Sequence, residues 1–346
     1  MEKQRAEECG EQVEVEATKS EKFLETLKKI KNMREFNLFL MIVIIFVIMI
    51  FASPYFLTRA NLEAILLSFS TEGIVVIGMT IMIIVGGIDI SVGAVMCFAM
   101  VVSGRLFLMG MNIWLASFLG LLSSLAIGAA TGFFVTRVKL NFFITTIAIM
   151  GIVRGACLII TKGTPLSLYT MPKNFAFIGG GKVFGAPFVI ILFFVIAILS
   201  DFMLRKSTLS RKIFYTGSSE KAAMFSGINV DRIKFGVSVL CAGLTGLAGI
   251  IFMARFVSAT PIFGIGLELT AISGAVIGGA SLTGGKGSVL GAILGITLLS
   301  LVTSSLILLD VNVYWQDFIK GLILLGAITM DGLGELNRTK TKRQLN

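Results

Sequence analysis

Long apolar stretches alternate with short polar connections along nearly the whole chain. Runs of about 20 apolar residues recur, and a helix of that length crosses a hydrocarbon core of roughly 30 Å. The runs lie at 36–56, 62–85, 90–109, 112–136, 140–161, 187–204, 235–256, 267–283, 288–309 and 315–333. Lipid offers no partners to backbone N–H and C=O groups, so each run must form a helix, whereas a β-barrel would show short alternating segments. The pattern predicts an all-α, polytopic membrane protein with about ten transmembrane helices.

Basic residues follow this pattern and predict the orientation of the chain. With the N-terminus inside, ten crossings place 137–139, 205–234, 284–287 and the C-terminal tail in the cytoplasm, and all of these carry Lys or Arg. The basic residues of the opposite connections are Arg59, Lys162, Lys173 and Lys182. The net charge of +10 is therefore better explained by the positive-inside rule than by nucleic-acid binding. Both termini are predicted to be cytoplasmic, with membrane lipid around the protein and no nucleic-acid partner.

The chain divides into a membrane domain and two polar ends. Residues 1–35 combine an acidic tail with a basic, amphipathic stretch, which predicts a cytoplasmic tail and a helix on the membrane surface. Residues 36–333 form the predicted transmembrane domain, and 334–346 form a second cytoplasmic tail. The first apolar run starts late and follows a long polar segment, so we expect no cleavable signal peptide.

Several kinds of chemistry are excluded by residues that the chain lacks. It has no histidine, which removes the commonest metal ligand and the Ser-His-Asp triad. Its four cysteines include no C-x-x-C pair, so neither a metal site nor a disulfide framework is implied. There is no G-x-x-x-x-G-K-[ST] phosphate loop. We therefore expect a protein that is not an enzyme and binds no cofactor itself.

Two acidic residues beside glycine-rich breaks or helix starts are candidates for the solute path. Asp89 and Ser91 lie in the break at 86–93, and Glu268 and Thr270 begin the eighth run. An acidic side chain within the membrane usually faces protein or water because its burial in lipid is costly. A simpler alternative is that Asp89 and Glu268 cap helices, Glu268 near the outer surface.

Two further charges lie deeper in apolar runs. Glu72 falls in the second run and Arg154 in the fifth. An ion pair between them is one arrangement that the sequence leaves open. These few charges give only thin support for a proton or ion relay of the kind that drives secondary transporters.

Residues 205–234 form the longest polar segment between apolar runs and carry seven basic residues. Ser218 or Ser219 can cap a short helix with Glu220 in its first turn, and Gly227 is placed to end it. Met224 and Phe225 are apolar residues on this polar element. They indicate docking on another protein, or else a loop helix that rests on the membrane surface.

Four segments, in order, resemble signatures of the sugar-type ABC importer permeases, the group for ribose, xylose, galactose and autoinducer-2. Residues 217–230 (GSSEKAAMFSGINV) resemble the pattern G-x-N-x-x-A-A-x-x-S-G-I-N-V, and 86–93 (GGIDISVG) resemble GG-I-D-L-S-V-G. Residues 278–288 (GGASLTGGKGS) and 314–321 (YWQDFIKG) also fit that family. Departures are Ser219, where Asn is frequent, and 141–146 (NFFITT), where the family often has P-F-I-x-T. The matches span about 300 residues, and neither departure affects the assignment.

This resemblance implies a permease subunit of the bacterial inner membrane that works as a homodimer or heterodimer by alternating access. A cytoplasmic ATPase subunit would drive it, and an extracytoplasmic sugar-binding protein would deliver a monosaccharide, a ribose-like pentose, to the outer loops. The coupling helix implied by the resemblance comprises Gly217, Ser218, Glu220, Lys221, Ala222, Ala223, Met224, Phe225, Ser226 and Gly227. Asp89, Ser91, Glu268 and Thr270 are the candidate path residues. Alternatives are an ABC permease for autoinducer-2, nucleosides or branched-chain amino acids, or an ion-coupled secondary transporter.

Overall fold

The computed structural model describes residues 34–344, which form helices joined by short connections. The helices are α1 Arg34–Ala52, α2 Arg59–Ile84, α3 Val92–Leu108, α4 Ile113–Thr136, α5 Phe142–Thr161, α6 Lys173–Gly180, α7 Phe188–Lys206, α8 Thr208–Ser218, α9 Glu220–Phe225, α10 Val230–Phe256, α11 Leu267–Ile277, α12 Val289–Leu308 and α13 Val313–Gln344. The two-residue strands are β1 Leu166–Ser167, β2 Lys182–Val183, β3 Ala186–Pro187 and β4 Ser258–Ala259. β1 pairs with β4, and β2 pairs with β3, both antiparallel.

The predicted class, a helical polytopic membrane protein, is confirmed. Within the described residues, seven helices are long and apolar enough to span a membrane, namely α1, α2, α4, α5, α7, α10 and α12. The apolar helices α3 and α11 are shorter. Ten crossings and two cytoplasmic termini remain predictions. Most of the predicted N-terminal tail and surface helix lies outside the described residues.

Side-chain caps fix where several membrane helices begin. Asn112 Oδ1 accepts a hydrogen bond from the N–H of Trp114 at 2.9 Å, which starts α4. Asn141 Oδ1 does the same for Phe143 at 2.8 Å and starts α5. Ser288 Oγ accepts from the N–H of Gly291 at 3.0 Å at the start of α12. Each cap satisfies one of the N–H groups that a helix leaves free at its N-terminus.

Helix α2 forms the centre of the bundle. Nearly all of its residues from Phe69 to Ile84 are buried, and it packs against α7, α10, α11 and α12. The apolar residues of α2 are spread over all of its faces. This distribution fits its central position, because a helix surrounded by protein on all sides needs no polar face. The C-terminal end of α2 is therefore a fixed point for the segments that contact it.

Contacts between connections group them at the two ends of the bundle. At one end, the N–H of Gly285 donates to the carbonyl of Ile84 at 2.9 Å, and Lys139 Nζ pairs with Asp231 at 2.7 Å. At the other end, Lys182 pairs with Glu63 at 2.8 Å. The first end contains Lys139, Asp231 and Gly285, which lie in connections predicted to be cytoplasmic, and the second contains Arg59 and Lys182, which were predicted to lie outside.

The two Gly-Gly segments end their helices with the same backbone motif. After α2, the N–H of Gly86 donates to Ile83 O and that of Gly87 to Met82 O, both at 2.9 Å. After α11, the N–H of Gly279 donates to Val276 O at 2.9 Å and that of Ala280 to Ala275 O at 3.0 Å. This is the Schellman motif, which needs a left-handed residue that glycine supplies without steric cost. Gly86 and Gly279, with φ of +87° and +95°, occupy that position.

The eighth apolar run, predicted as a helix over 267–283, is not one continuous helix. α11 has 11 residues, which cover about 16 Å, or half of the hydrocarbon core. The other half is covered by the irregular residues 260–266, which run inward along α3. They belong to the connection between the predicted runs 235–256 and 267–283, which the ten-crossing pattern places outside. The glycine-rich stretch 278–288, included in the predicted helix up to residue 283, is non-helical and lies near the end of α2.

Candidate functional site

The short helix in the polar segment forms where it was predicted. Ser219 is its N-cap, and its hydroxyl accepts from the N–H of Ala222 at 3.3 Å. Gly227 follows the helix with φ of +74° and donates to Met224 O at 3.0 Å, while the N–H of Ile228 donates to Ala223 O at 3.0 Å. The helix α9 thus has a cap at each end, which compensates for its length of only 6 residues.

A second helix, α8, precedes α9 and was not predicted. It runs over Thr208–Ser218 and carries Gly217 and Ser218 at its C-terminal end. The hydroxyl of Ser207 caps it by accepting from the N–H of Leu209 at 3.1 Å. The signal for this helix was the spacing of Leu209, Ile213 and Thr216 within a stretch of basic residues. The polar segment is therefore two helices that meet at Ser219.

Gly217 joins this pair of helices to the core of the bundle. A Cβ atom at this position would lie 1.8 Å from the carbonyl oxygen of Ile84 and 2.7 Å from the backbone N of Gly285. Gly284, in turn, approaches the carbonyl of Gly217. The end of α2, the 284–285 turn and the end of α8 therefore meet backbone to backbone, which only glycine allows. A force applied to α9 would reach α2 through this contact.

Two ion pairs join the start of α10 to α9 and to the turn between α4 and α5. Lys234, at the start of α10, pairs with Glu220 of α9, and its Nζ lies 5.8 Å from the ring centroid of Phe142. Lys139 pairs with Asp231 in the same region. These four charged residues line a cleft of about 440 Å³ that also reaches Gly86 and Ile88. Lys139 and Lys234 were not among the predicted site residues.

The remaining predicted coupling residues lie on or beside α9. Ala223 is buried, whereas Lys221, Ala222, Ser226 and Gly227 are exposed. Met224 is 64% exposed and Phe225 is 92% exposed, so the described chain leaves most of both apolar side chains uncovered. A fully exposed phenylalanine on a capped helix is a surface that another molecule can cover.

Asp89 and Ser91 are buried and bonded to each other. Asp89 Oδ1 accepts from the N–H of Ser91 at 2.8 Å and from its hydroxyl at 2.5 Å. Ser91 is the N-cap of α3, so the carboxylate holds a free donor at the start of that helix. Both side chains are at most 2% exposed. This geometry favours the helix-capping alternative, because Asp89 binds the residue that begins α3 and both side chains are closed to solvent in this conformation.

Glu268 also binds its own helix terminus, but it is not near the outer surface. Glu268 Oε1 accepts from the N–H of Gly266 at 3.2 Å, and its Oε2 lies close to Gly93 of α3. Gly93 belongs to the first turn of α3, more than 20 Å along the helix from its outer end at Leu108. Thr270 is buried, and its hydroxyl donates to Gly266 O at 3.4 Å. The N-termini of α3 and α11 therefore meet inside the membrane domain.

The pair considered between Glu72 and Arg154 is wrong. Glu72 interacts with the hydroxyl of Ser68 and with Lys320 of α13. Arg154 Nη1 donates instead to the carbonyls of Phe263 at 2.6 Å and of Pro261 at 3.2 Å. Within the described residues, no group of three or more cysteine and acidic side chains could hold a metal ion.

Comparison with known proteins places these features in a family. Residues 61–328 match the family described as branched-chain amino acid transport system / permease component. The ribose import permease protein RbsC of Escherichia coli (strain K12) is 37% identical over 281 residues, which cover 81% of this chain and 88% of that protein. RbsC of Bacillus subtilis (strain 168) is 33% identical over 299 residues, or 86% and 93% of the two chains. The L-arabinose ABC transporter permease protein AraH of Azospirillum brasilense is 33% identical over 278 residues, or 80% and 81%.

No solved structure matches the chain with significant similarity. The family match covers more than half of the chain, and the relatives align over most of their own length. They confirm the resemblance stated from the sequence motifs, and with the apolar helices they indicate a multi-pass protein of the bacterial inner membrane. A protein of this class is a transport subunit rather than an enzyme, because ATP is hydrolysed by a separate subunit. The chain belongs to the family of membrane permease components of ABC importers, and within it is similar to sugar permeases.

Proposed function

We propose that this chain is the membrane subunit of an ATP-driven importer for a monosaccharide, with a ribose-like pentose as its solute. The ribose and arabinose permeases among its relatives support a sugar. A cytoplasmic ATPase would supply energy, an extracytoplasmic binding protein would deliver the sugar, and two permease subunits would enclose the path. The chain itself would hold neither nucleotide nor metal.

One observation carries the coupling part of this proposal. The capped helix α9 presents Met224 and Phe225 to the outside of the protein, and Gly217 holds its neighbour α8 rigidly against α2. A partner that grips Met224 and Phe225 could therefore move membrane helices without deforming the loop between them. Rigid transmission of this kind fits alternating access, in which parts of the protein move as bodies.

The test is uptake by proteoliposomes that contain the permease, its ATPase and its binding protein. We expect radiolabelled ribose to accumulate only when ATP is present on the side of the membrane where the ATPase is bound. Unlabelled xylose, arabinose and allose measure selectivity among sugars, and leucine and adenosine represent the two other solute classes. Accumulation of leucine in preference to every sugar would replace the sugar hypothesis with the amino-acid alternative. Accumulation that needs a proton or sodium gradient but no ATP would contradict the importer itself.

The coupling helix is tested in the same vesicles by replacing 220–225 with a Gly/Ser linker of equal length. Uptake should be lost while the permease still inserts and binds its second subunit. Substitution of Phe184, an exposed residue of the β2–β3 hairpin at the other end of α7, serves as a control for general damage. Retained uptake with the linker variant would remove α9 from the mechanism.

A further inference from the structure

The irregular segment 260–266 lies at membrane depth. It follows β4, where Ala259 packs beside Gly104 near the outer end of α3. Further on, Cys97 Sγ lies 3.2 Å from the carbonyl oxygen of Pro261, and Gly264 packs against Gly93. From Gly104 to Gly93 is 11 residues of α3, or about 16 Å along its axis. The segment therefore enters about halfway into the hydrocarbon core.

Backbone without helical hydrogen bonds is tolerated at this depth only where protein groups or water satisfy it. Arg154 of α5 supplies two of the required donors, to the carbonyls of Pro261 and Phe263. Cys97 of α3 supplies a thiol beside the carbonyls of Thr260 and Pro261. A charged side chain within a membrane helix is costly and is usually retained for function. Two hydrogen bonds of Arg154 therefore go to main-chain carbonyls of one irregular segment.

The segment has an outer end that is held by strand pairing and an inner end that contains two glycines. At its outer end, β4 is paired with β1, so the backbone there is held in register. At its inner end, Gly264 and Gly266 have φ of +76° and +81°, a region that glycine adopts without steric cost, so these two positions could act as hinges. Pro261 is buried against α3, whereas Ile262 and Ile265 on the other side are 61% and 72% exposed. Phe263 stacks on Phe252 of α10, with ring centroids 3.6 Å apart, so movement of the segment away from α3 would have to break this contact or carry Phe252 with it.

We propose that residues 260–266 form a movable gate of the solute path and that Arg154 is the positioning residue that holds this gate against α3. The proposal rests on the import function given above. It also explains why the eighth apolar run is not one continuous helix. A continuous helix through 260–277 could not move its outer half without its inner half, but a hinged segment above α11 can.

Access to Pro261 tests the gate without any need for import. The probe is a membrane-impermeant maleimide applied from outside to a Pro261→Cys, Cys97→Ser, Cys157→Ser variant. The buried position should react slowly when Arg154 is present. Arg154→Gln should raise the labelling rate about tenfold because the bonds from a charged donor are lost. Arg154→Lys, which keeps the charge, should fall between the two, and equal rates for all three variants would overturn the proposal.

A cross-link tests whether the movement is needed. Pro261→Cys, with Cys157→Ser and native Cys97, should form a disulfide on oxidation that fixes the segment to α3. We expect uptake to fall at least tenfold and to recover on reduction. The matched control is Ser167→Cys with Ser258→Cys, which fixes β1 to β4, the end that the proposal holds immobile, and should leave uptake unchanged.

The two experiments separate the gate from the importer. Full uptake by the cross-linked protein would show that the segment does not move during transport. If oxidation produces no cross-link, the labelling rates alone decide. Absence of ATP-driven uptake in the unmodified protein would count against the proposed function. The dependence of maleimide labelling on Arg154 would still test, without any uptake, whether Arg154 holds the segment.

Discussion

Two irregular regions of this protein, the α8–α9 pair at one end and the segment 260–266 within the membrane, are held in place by different physical means. The first uses helix caps and the ion pair between Glu220 and Lys234, beside the exposed pair of Lys139 and Asp231, and the second uses one guanidinium that donates to backbone carbonyls. Both also depend on a glycine at a close backbone contact, Gly217 in the first and Gly93 in the second. The comparison teaches that similar glycine contacts can serve opposite purposes, a rigid joint in one place and a movable one in the other.

The largest loss of stability is expected from Gly217→Ala, because this substitution disrupts the rigid contact between α8 and α2. The new Cβ would lie 1.8 Å from the carbonyl oxygen of Ile84, and neither backbone can retreat. We expect a loss of about 3 kcal/mol or more, at the upper end of overpacking effects. Thermal unfolding in detergent measures it. Gly236→Ala is the matched control, because open space surrounds that position of α10 and alanine favours the helix.

Gly93→Ala is expected to destabilise the protein less than Gly217→Ala, although the new Cβ atom would be almost as close to its neighbour. Its Cβ would lie 2.0 Å from the carbonyl oxygen of Gly264, but this neighbour belongs to the movable segment and can shift. The thermal midpoint should fall less than with Gly217→Ala, whereas maleimide labelling of Pro261→Cys should rise. Gly151→Ala, in open space on α5, controls for helix effects. Equal destabilisation by Gly93→Ala and Gly217→Ala would mean that both joints are rigid.

Phe225→Ser should weaken binding of the ATPase and leave stability unchanged. The side chain is 92% exposed, so the isolated permease loses no packing, whereas an aromatic anchor at an interface contributes about 2 kcal/mol or more. Co-purification of the ATPase with the permease in detergent measures it. Phe184→Ser removes an equally exposed phenylalanine at the other end of the protein and should have no effect on that assay. Unchanged ATPase binding by Phe225→Ser would place the contact elsewhere.

The sequence predicted the helical class, the order of the apolar runs and the capped helix at 220–225, because these depend on local signals such as hydrophobic length, Ser219 and Gly227. It did not predict the depth of 260–266. A short stretch with Pro261 and two glycines reads as a surface loop, and only tertiary contacts with Gly93, Cys97 and Arg154 place it inside the membrane. The partner of Arg154 was missed for a related reason. Every residue has a backbone carbonyl, so the sequence does not show which carbonyls Arg154 binds. The search for its partner therefore considered only acidic side chains and led to Glu72.

The smallest effect is expected at the ion pair between Lys139 and Asp231, and it measures how much the solvent-exposed region relies on charge. The two side chains are 65% and 47% exposed, so water and salt screen their attraction. Lys139→Ala should therefore cost about 1 kcal/mol or less. The reciprocal variant Lys139→Asp with Asp231→Lys should recover most of this loss at low salt, and the recovery should fade as salt is raised. By contrast, the effect of Arg154→Gln on maleimide labelling should hardly depend on salt, because Arg154 acts at membrane depth. A salt-insensitive pair at Lys139 would show that this end, too, is shielded from water, and the contrast between the two regions would then rest on the glycine contacts alone.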